Sequence, residues 1–313
     1  MKKISDSGFK NWTLDRLPQQ KGKTFIITGG NSGIGFETAK ILAKAGADVI
    51  ITCRSEEKAA QAKAEISFIA KGNVDHVLMD LSSLASVRNA AEQIHQRYEK
   101  LDSLINNAGI MFPPKTTTED GYELQFATNH LGHFLFTGLL FDLVEKASGR
   151  VVVTSSIAHK QGTINFDDLM ADKVYSPMST YSQSKLANLL FALELDRRLK
   201  TAGSKVICIA CHPGYSATNL QSTGPQGFMK WILSLANKIA AQTPIQGATP
   251  TVLAAAGTEA LAGAYYGPQS MGESKGPVSD AKVSDEARDE QVAKRLWEES
   301  EKLVGYQWAI SAN

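Results

Sequence analysis

Tyr181 and Lys185 stand four residues apart in Tyr181-Ser182-Gln183-Ser184-Lys185, just ahead of the apolar run 186–193. On a helix, positions i and i+4 lie one above the other, so a phenol and an ammonium would project into one site. An isolated tyrosine, with a pKa of about 10, is a poor base near neutrality. A nearby cation lowers that value by favouring the phenolate. Such a pair can exchange a proton with an alcohol or carbonyl oxygen, which is half of a redox reaction at that carbon. The other half is a hydride, which no side chain carries, so the pair acquires this meaning only if the chain also binds a redox cofactor. By itself the spacing is equally the face of an ordinary helix.

The elements that would position such a pair follow a regular rhythm. Thr24-Phe25-Ile26-Ile27-Thr28 reads as a short buried strand, followed by Gly29-Gly30-Asn31-Ser32-Gly33-Ile34-Gly35 and an amphipathic stretch over 36–45. Strand, glycine turn and helix make the first half of a βαβ unit. The spacing Gly29-x3-Gly33-x-Gly35 departs from the general G-x-G-x-x-G fingerprint but shares its mechanics. Glycines close the turn, let the backbone approach a pyrophosphate, and aim a helix N-terminus at its charge. Further strands are expected over 47–53, 74–79, 101–105, 150–155 and 205–210, with helices from Ser55 and over 84–98, 126–144 and 178–199. Unbroken apolar strands alternating with helices predict an α/β chain: a single-domain doubly wound (Rossmann) fold, a parallel sheet of about seven strands with helices on both faces. Residues 1–22 read as an N-terminal arm anchored by Trp12, Leu14 and Leu17, and residues 23–313 as the one domain.

Beyond Pro213 the rhythm changes. The stretch 221–242, with Phe228, Met229, Trp231, Ile232 and Leu235, reads as a lid over an apolar pocket and equally as an amphipathic helix packed on the core. Thr243-Pro244-Ile245-Gln246 has the form of a capping box with proline at the first helical position. Pro250 should kink the helix that follows. Ala264-Tyr265-Tyr266 is the expected last strand, 267–277 is turn-rich, and 284–304 is a charged terminal helix.

In an open parallel sheet, ligands bind at the carboxyl ends of the strands. There the chain places Cys53-Arg54-Ser55, Asp80-Leu81 and Asn106-Asn107-Ala108-Gly109. An acid after the second strand would bind a ribose 2′-hydroxyl, whereas an arginine accommodates a 2′-phosphate. Arg54 at this position favours NADP(H) over NAD(H). Asp80 and Leu81 would meet the adenine, and Asn107, Ala108 and Gly109 would lie beside the cofactor.

A net charge of +1 and 43% hydrophobic residues give no reason to expect nucleic acid or an anionic membrane as partner. Cys53, Cys208 and Cys211 are too few for a disulfide framework, and Cys208-x-x-Cys211 lies on an expected strand, where residues three apart face opposite sides. Positive residues at the start precede no apolar segment, and no stretch approaches the roughly 18 residues of a spanning helix. A cytoplasmic protein without a membrane anchor is expected.

With these residues in place the chain resembles the short-chain dehydrogenase/reductases of the classical type over about 23–218. It is most similar to their retinol dehydrogenase-like branch, through Gly35-Phe36-Glu37-Thr38-Ala39, Thr128-Asn129-His130-Leu131-Gly132-His133-Phe134 and Tyr181-Ser182-Gln183-Ser184-Lys185-Leu186-Ala187-Asn188. The resemblance implies that Tyr181 is the acid/base and that Lys185 lowers its pKa and binds the nicotinamide ribose. It implies that Ser156 holds the substrate oxygen, that Asn129 supports a proton-relaying water, and that Thr218 in Pro213-Gly214-x3-Thr218 holds the carboxamide. Alternation sends Ser155 and Ser156 to opposite faces, and the family motif selects Ser156. Gly29, Asn31, Ser32, Gly33, Ile34, Gly35, Pro213 and Gly214 complete the implied cofactor set. A homodimer or homotetramer, paired through the long helices starting near Phe126 and Met178, is also implied. The 25 residues from Ser156 to Tyr181 include Asn165-Phe166-Asp167-Asp168-Leu169, expected at the substrate entrance.

The resulting expectation is an NADP(H)-dependent alcohol dehydrogenase or carbonyl reductase for a small apolar substrate, retinoid-, steroid- or aldehyde-like. Its rivals are a catalytically idle NADP(H)-binding sensor or scaffold and, further off, a sugar-nucleotide epimerase. His130 and His133 lack a third ligand at metal spacing, so no metal is expected. Ser155-Ser156 with His159 lacks the G-x-S-x-G of a nucleophile elbow.

Overall fold

The computed structural model describes residues 1–215 and 242–310. In it, β1 (Thr24–Thr28) sends Phe25 and Ile27 into one core layer and Ile26 into the other. The same period-2 alternation recurs in β5 (Arg150–Thr154) and in β6 (Ile207–Cys211), where Cys208 and Cys211 lie in opposite layers. Strands buried on both faces require helices on both, and the chain supplies them. One layer holds α1 (Gly33–Lys44), α2 (Glu56–Ser67) and α7 (Pro244–Ala256). The other holds α3 (Leu84–Arg97), α4 (Gly132–Leu139), α5 (Phe141–Lys146), α6 (Pro177–Thr201) and α8 (Glu290–Val304).

With β2 (Asp48–Cys53), β3 (Val74–Leu78), β4 (Ser103–Asn106), β7 (Tyr265–Ser270) and β8 (Lys275–Asp280), the sheet runs β3-β2-β1-β4-β5-β6-β7-β8. The first seven strands pair in parallel and β8 pairs antiparallel with β7. The order reverses between β1 and β4, which makes the crevice beyond their carboxyl ends the natural ligand position.

The antiparallel eighth strand departs from the expectation of turns over 267–277. Its glycines and prolines have other causes: a Cβ on Gly267 would stand 1.9 Å from His212 Nε2, Gly276 has φ +105°, and the register shifts between Pro268 and Ser270. Close approach, positive φ and a bulge on an edge hairpin use the same residues as turns do. The arm partly covers this edge: Trp12, fully buried, bridges to Val278, and Phe9 stacks on Tyr266 with ring centroids 5.9 Å apart.

The helix expected over 126–144 is broken. A short turn, Leu124–Phe126, leads into a π-helical turn, Ala127–Leu131, then α4, and a second break at Leu140 precedes α5. A π turn displaces side chains from the α register, and such turns recur at functional sites. It contains Asn129.

Ser176 caps α6 by accepting from Ser179 N, with Pro177 at the first helical position. The helix is buried almost without interruption over 180–196, because the sheet lies on one side and α8 on the other. Trp297 of α8 packs on Phe134, Phe191 and Trp308, and Arg198 lies 4.4 Å over its ring. The same contacts cover aromatic residues of the two long helices through which subunit pairing was expected. With Trp297 only 2% exposed, Trp297→Ala is expected to destabilise the fold by about 3–5 kcal/mol, measured by urea denaturation.

Candidate active site

The turn after β1 depends on its glycines. Gly29 and Gly33 have φ +66° and +56°, in the left-handed region that favours glycine. Gly35 is required by proximity, since a Cβ there would stand 2.4 Å from Asn107 Nδ2 and 2.5 Å from Gly29 O. Ser32 precedes α1 without making a side-chain cap bond, so its hydroxyl does not occupy the first amides of that helix. Asn31, Ser32 and Ile34 line the turn half-buried.

Thr28 joins this turn to the Asn107 loop. Its hydroxyl accepts Asn107 N and Ala108 N, both at 2.9 Å, while Asn107 Nδ2 donates to Thr28 O at 2.8 Å. His133 Nδ1 donates to Asn129 O at 3.0 Å, which leaves Nε2 to accept the Thr28 hydroxyl at 2.8 Å. Burial holds His133 neutral by lowering its pKa to about 4. A chain of bonds therefore runs from the glycine turn to Asn129. The nitrogens of His133 are engaged in this way, and His130 Nε2 pairs with Ser300 Oγ at 2.8 Å.

Asn129, fully buried, uses its amide at both ends. Oδ1 accepts Ile110 N at 2.8 Å, and Nδ2 donates to Ile110 O at 3.0 Å and to Ser184 Oγ at 2.9 Å. Its side chain is thus a clamp between the loop after β4 and α6, while its backbone carbonyl is shared with His133. A Cβ on Gly109 would come within 3.1 Å of Asn129 Oδ1 and 3.3 Å of Lys185 Nζ, so both would have to shift slightly to admit a side chain there.

Tyr181 and Lys185 occupy successive turns of α6, with Nζ 5.9 Å from the centre of the phenol ring. Nζ donates to Thr154 O at 3.4 Å. Ser156, just past the end of β5, lies beside the Tyr181 phenol and acts to lower its pKa, whereas Ser155 turns to the other side and donates to Lys185 O at 2.7 Å. Burial pushes the phenol up to about 12 against the opposing effect of Ser156, and burial pulls the ammonium down to about 8. The expected lowering of the phenol by Lys185 is not seen; desolvation dominates, and Ser156 is the group that opposes it.

At the rim, Arg54 is largely exposed, with Nη1 3.9 Å from Asp80 Oδ2. Asp80 Oδ1 accepts from Ser82 N and Oγ, which fixes the turn after β3. Leu81 turns into the core. Gly214, at φ +69°, lies so close to Ser274 O and Pro268 that a Cβ would overlap both, and Pro213 O accepts from Gln242 Nε2. Thr218, and the lid reading at 221–242 apart from Gln242, lie outside the described residues.

The family model described as short chain dehydrogenase matches residues 23–226. The chain belongs to the short-chain dehydrogenase family. Within it, the chain falls on the retinol dehydrogenase-like branch. It is 42% identical to human retinol dehydrogenase 13 over 292 residues, covering 91% of this chain and 85% of that protein. To human retinol dehydrogenase 14 it is 40% identical over 302 residues, covering 91% and 87%. A crystal structure of an uncharacterised protein from Mycobacterium paratuberculosis superposes with a TM-score of 0.80 at 38% identity, covering 96% of this chain and all of that one. This short-chain dehydrogenase is therefore an oxidoreductase of a family that uses NAD(P), and its glycine turn fits such a group, because Cβ atoms would fill the cradle at Gly29 and Gly35.

Among the described residues of this dehydrogenase no helix is long and apolar enough to cross a membrane. The segment Asn165–Leu169 packs against α6 and α8. Phe166 lies under Arg295 of α8 at 3.9 Å, and Gln183 holds Asn165 N and Leu169 O. Sequence reasoning missed Thr28 and the linking role of His133, both legible only as a threonine at a strand end and a histidine one turn after Asn129. His159, read from the sequence only against a hydrolase site, donates from Nδ1 to Ser156 O at 2.6 Å and so steadies the turn that carries Ser156.

Proposed function

We propose that this oxidoreductase uses NADP(H) to interconvert the carbonyl and alcohol forms of a small apolar substrate, on a single domain of residues 23–313. The observation that carries the reading is the buried Tyr181 phenol with Ser156 beside it, Lys185 one turn on and the glycine cradle at the same edge of the sheet. Gly29, Gly33, Gly35, Asn107 and Gly109 would hold the dinucleotide, which supplies the hydride when bound. Pro213 and Gly214 would flank it, Arg54 would meet a 2′-phosphate, and Asp80 would lie toward the adenine.

The proton steps belong to the chain. In reduction, Tyr181, neutral through the physiological range, gives its proton to the substrate oxygen while Ser156 donates a hydrogen bond to that same oxygen. In oxidation, the phenolate takes the proton back, and Lys185, when charged, stabilises it. The apolar loop of Met111, Phe112, Pro113 and Pro114 beside Tyr181 supports a hydrocarbon-bearing substrate, and the names of the relatives suggest retinoids within that class.

Oxidation of NADPH, followed with a panel of apolar aldehydes, ketones and retinal, tests the reading. Turnover is expected; tight NADPH binding without turnover of any member would replace the enzyme with an idle NADP(H)-binding protein. Arg54→Asp is expected to move the ratio of kcat/KM for NADPH over NADH by about 10- to 100-fold toward NADH, the scale of one charge-assisted contact. An unchanged ratio would show that Arg54 does not meet the phosphate.

A further inference from the structure

Phe112 has φ +59°, a left-handed conformation that is an outlier for a bulky side chain. Buried Gln125 imposes it by accepting Phe112 N at 2.9 Å with Oε1, while Gln125 Nε2 donates to Pro177 O at 3.1 Å and to Tyr175 Oη at 3.4 Å. Tyr175 Oη in turn donates to Pro113 O at 2.7 Å. The strained segment is thereby tied both to the turn before Asn129 and to the first residue of α6, the helix that carries Tyr181.

The fold does not need this arrangement for packing, since the Phe112 ring belongs to neither core layer. What the ring meets is Tyr181, edge-on, with centroids 5.3 Å apart and planes at 78°. Strain that surrounding bonds over-determine, and that aims a side chain at a reactive group, is a mark of function rather than of packing.

We infer that Phe112 is a specificity-determining residue, its clamped ring forming the apolar wall against which the substituent of the reacting carbonyl packs. With the backbone pinned at Phe112 N and Pro113 O, the ring has little room to move aside, so the wall favours slender hydrocarbon chains over cyclic ones. This inference rests on the oxidoreductase reading above.

The test compares wild type, Phe112→Ala and Phe112→Gly in NADPH-dependent reduction of octanal and cyclohexanecarboxaldehyde, which share the aldehyde and differ in width. Both variants are expected to lower the octanal to cyclohexanecarboxaldehyde ratio of kcat/KM by about 10-fold or more, with NADPH affinity unchanged, on the scale of a few hydrocarbon contacts. Phe112→Gly accepts the positive φ without strain and is expected to melt at or above the wild-type temperature. A merely structural phenylalanine would instead lower the melting temperature of both variants and slow both aldehydes equally. An unchanged ratio in variants whose wild-type parent turns over both aldehydes overturns the inference alone. A wild type that binds NADPH yet reduces no carbonyl overturns the oxidoreductase reading and this inference with it.

Discussion

Tyr181→Phe is expected to reduce turnover by about 100- to 10,000-fold, the range of one positioned acid or base, while NADPH affinity stays within about 2-fold of wild type. The substitution removes only the hydroxyl. The ring keeps its edge contact with Phe112 and its place on α6, so nothing that shapes the glycine turn is disturbed. Ser156 keeps the hydrogen bond from Ala158 N at 3.2 Å. The pH dependence has a defined sign. With the phenol pushed up to about 12, its neutral, proton-donating form dominates from neutrality to beyond pH 10, whereas the phenolate fraction needed for oxidation grows roughly tenfold per pH step over that span. Reduction is therefore expected to proceed at neutral pH and alcohol oxidation to accelerate as pH rises. Steady-state rates in both directions, with cofactor titrations by fluorescence, check this; equal loss of binding and turnover in Tyr181→Phe would assign the residue a structural role.

The parallel core of the fold was legible because each buried strand is a short apolar run and several helices begin at a recognisable signal. Ser55, Ser83, Ser176 and the Thr243–Gln246 capping box all cap where their types suggest. The eighth strand was not legible, because Gly267, Pro268, Gly276 and Pro277 carry turn chemistry for reasons of close approach to His212, a bulge and an edge position. The breaks in the helix over 126–144 were hidden for a different reason: the segment is buried almost all round, polar and apolar residues alike, so its periodicity cannot distinguish a π turn from an α turn. At the site, Tyr181, Lys185, Ser156 and the glycine turn could be named from spacing and resemblance. The sign of the phenol's shift could not, because burial depends on what packs around Tyr181 rather than on its neighbours in sequence. Phe112 was invisible for the same reason, since φ +59° is imposed by Gln125 and Tyr175, both distant in the chain.

Lys185→Met should raise the stability of the fold at pH 7 by about 1–3 kcal/mol and reduce turnover by at least about 100-fold. The charged form of Lys185 is disfavoured by burial, with the side chain only 3% exposed and its pKa lowered from 10.5 to about 8. At about 1.4 kcal/mol per tenfold, holding that ammonium in the folded chain costs about 3 kcal/mol at neutral pH. The sign follows from proton counting. Between pH 8 and 10.5 the unfolded chain binds more protons at this residue than the folded chain does, so wild-type stability gains with rising pH across that window from this group. Methionine, of similar length and without charge, removes the penalty, so its advantage is full below pH 8 and fades as pH approaches 10.5. Little is lost in exchange, because the Nζ bond to Thr154 O is long at 3.4 Å and Asn188 Nδ2 still donates to that carbonyl at 3.1 Å. Urea denaturation of both proteins at pH 7 and pH 10 measures the gain and its decline, and steady-state kinetics measures the loss of turnover. A variant less stable than wild type at both pH values would mean that Lys185 is held by favourable bonds rather than maintained at a cost. The opposite signs of the two effects are what a buried charge kept for proton chemistry requires: the ammonium that burdens the fold is the one that faces the phenolate.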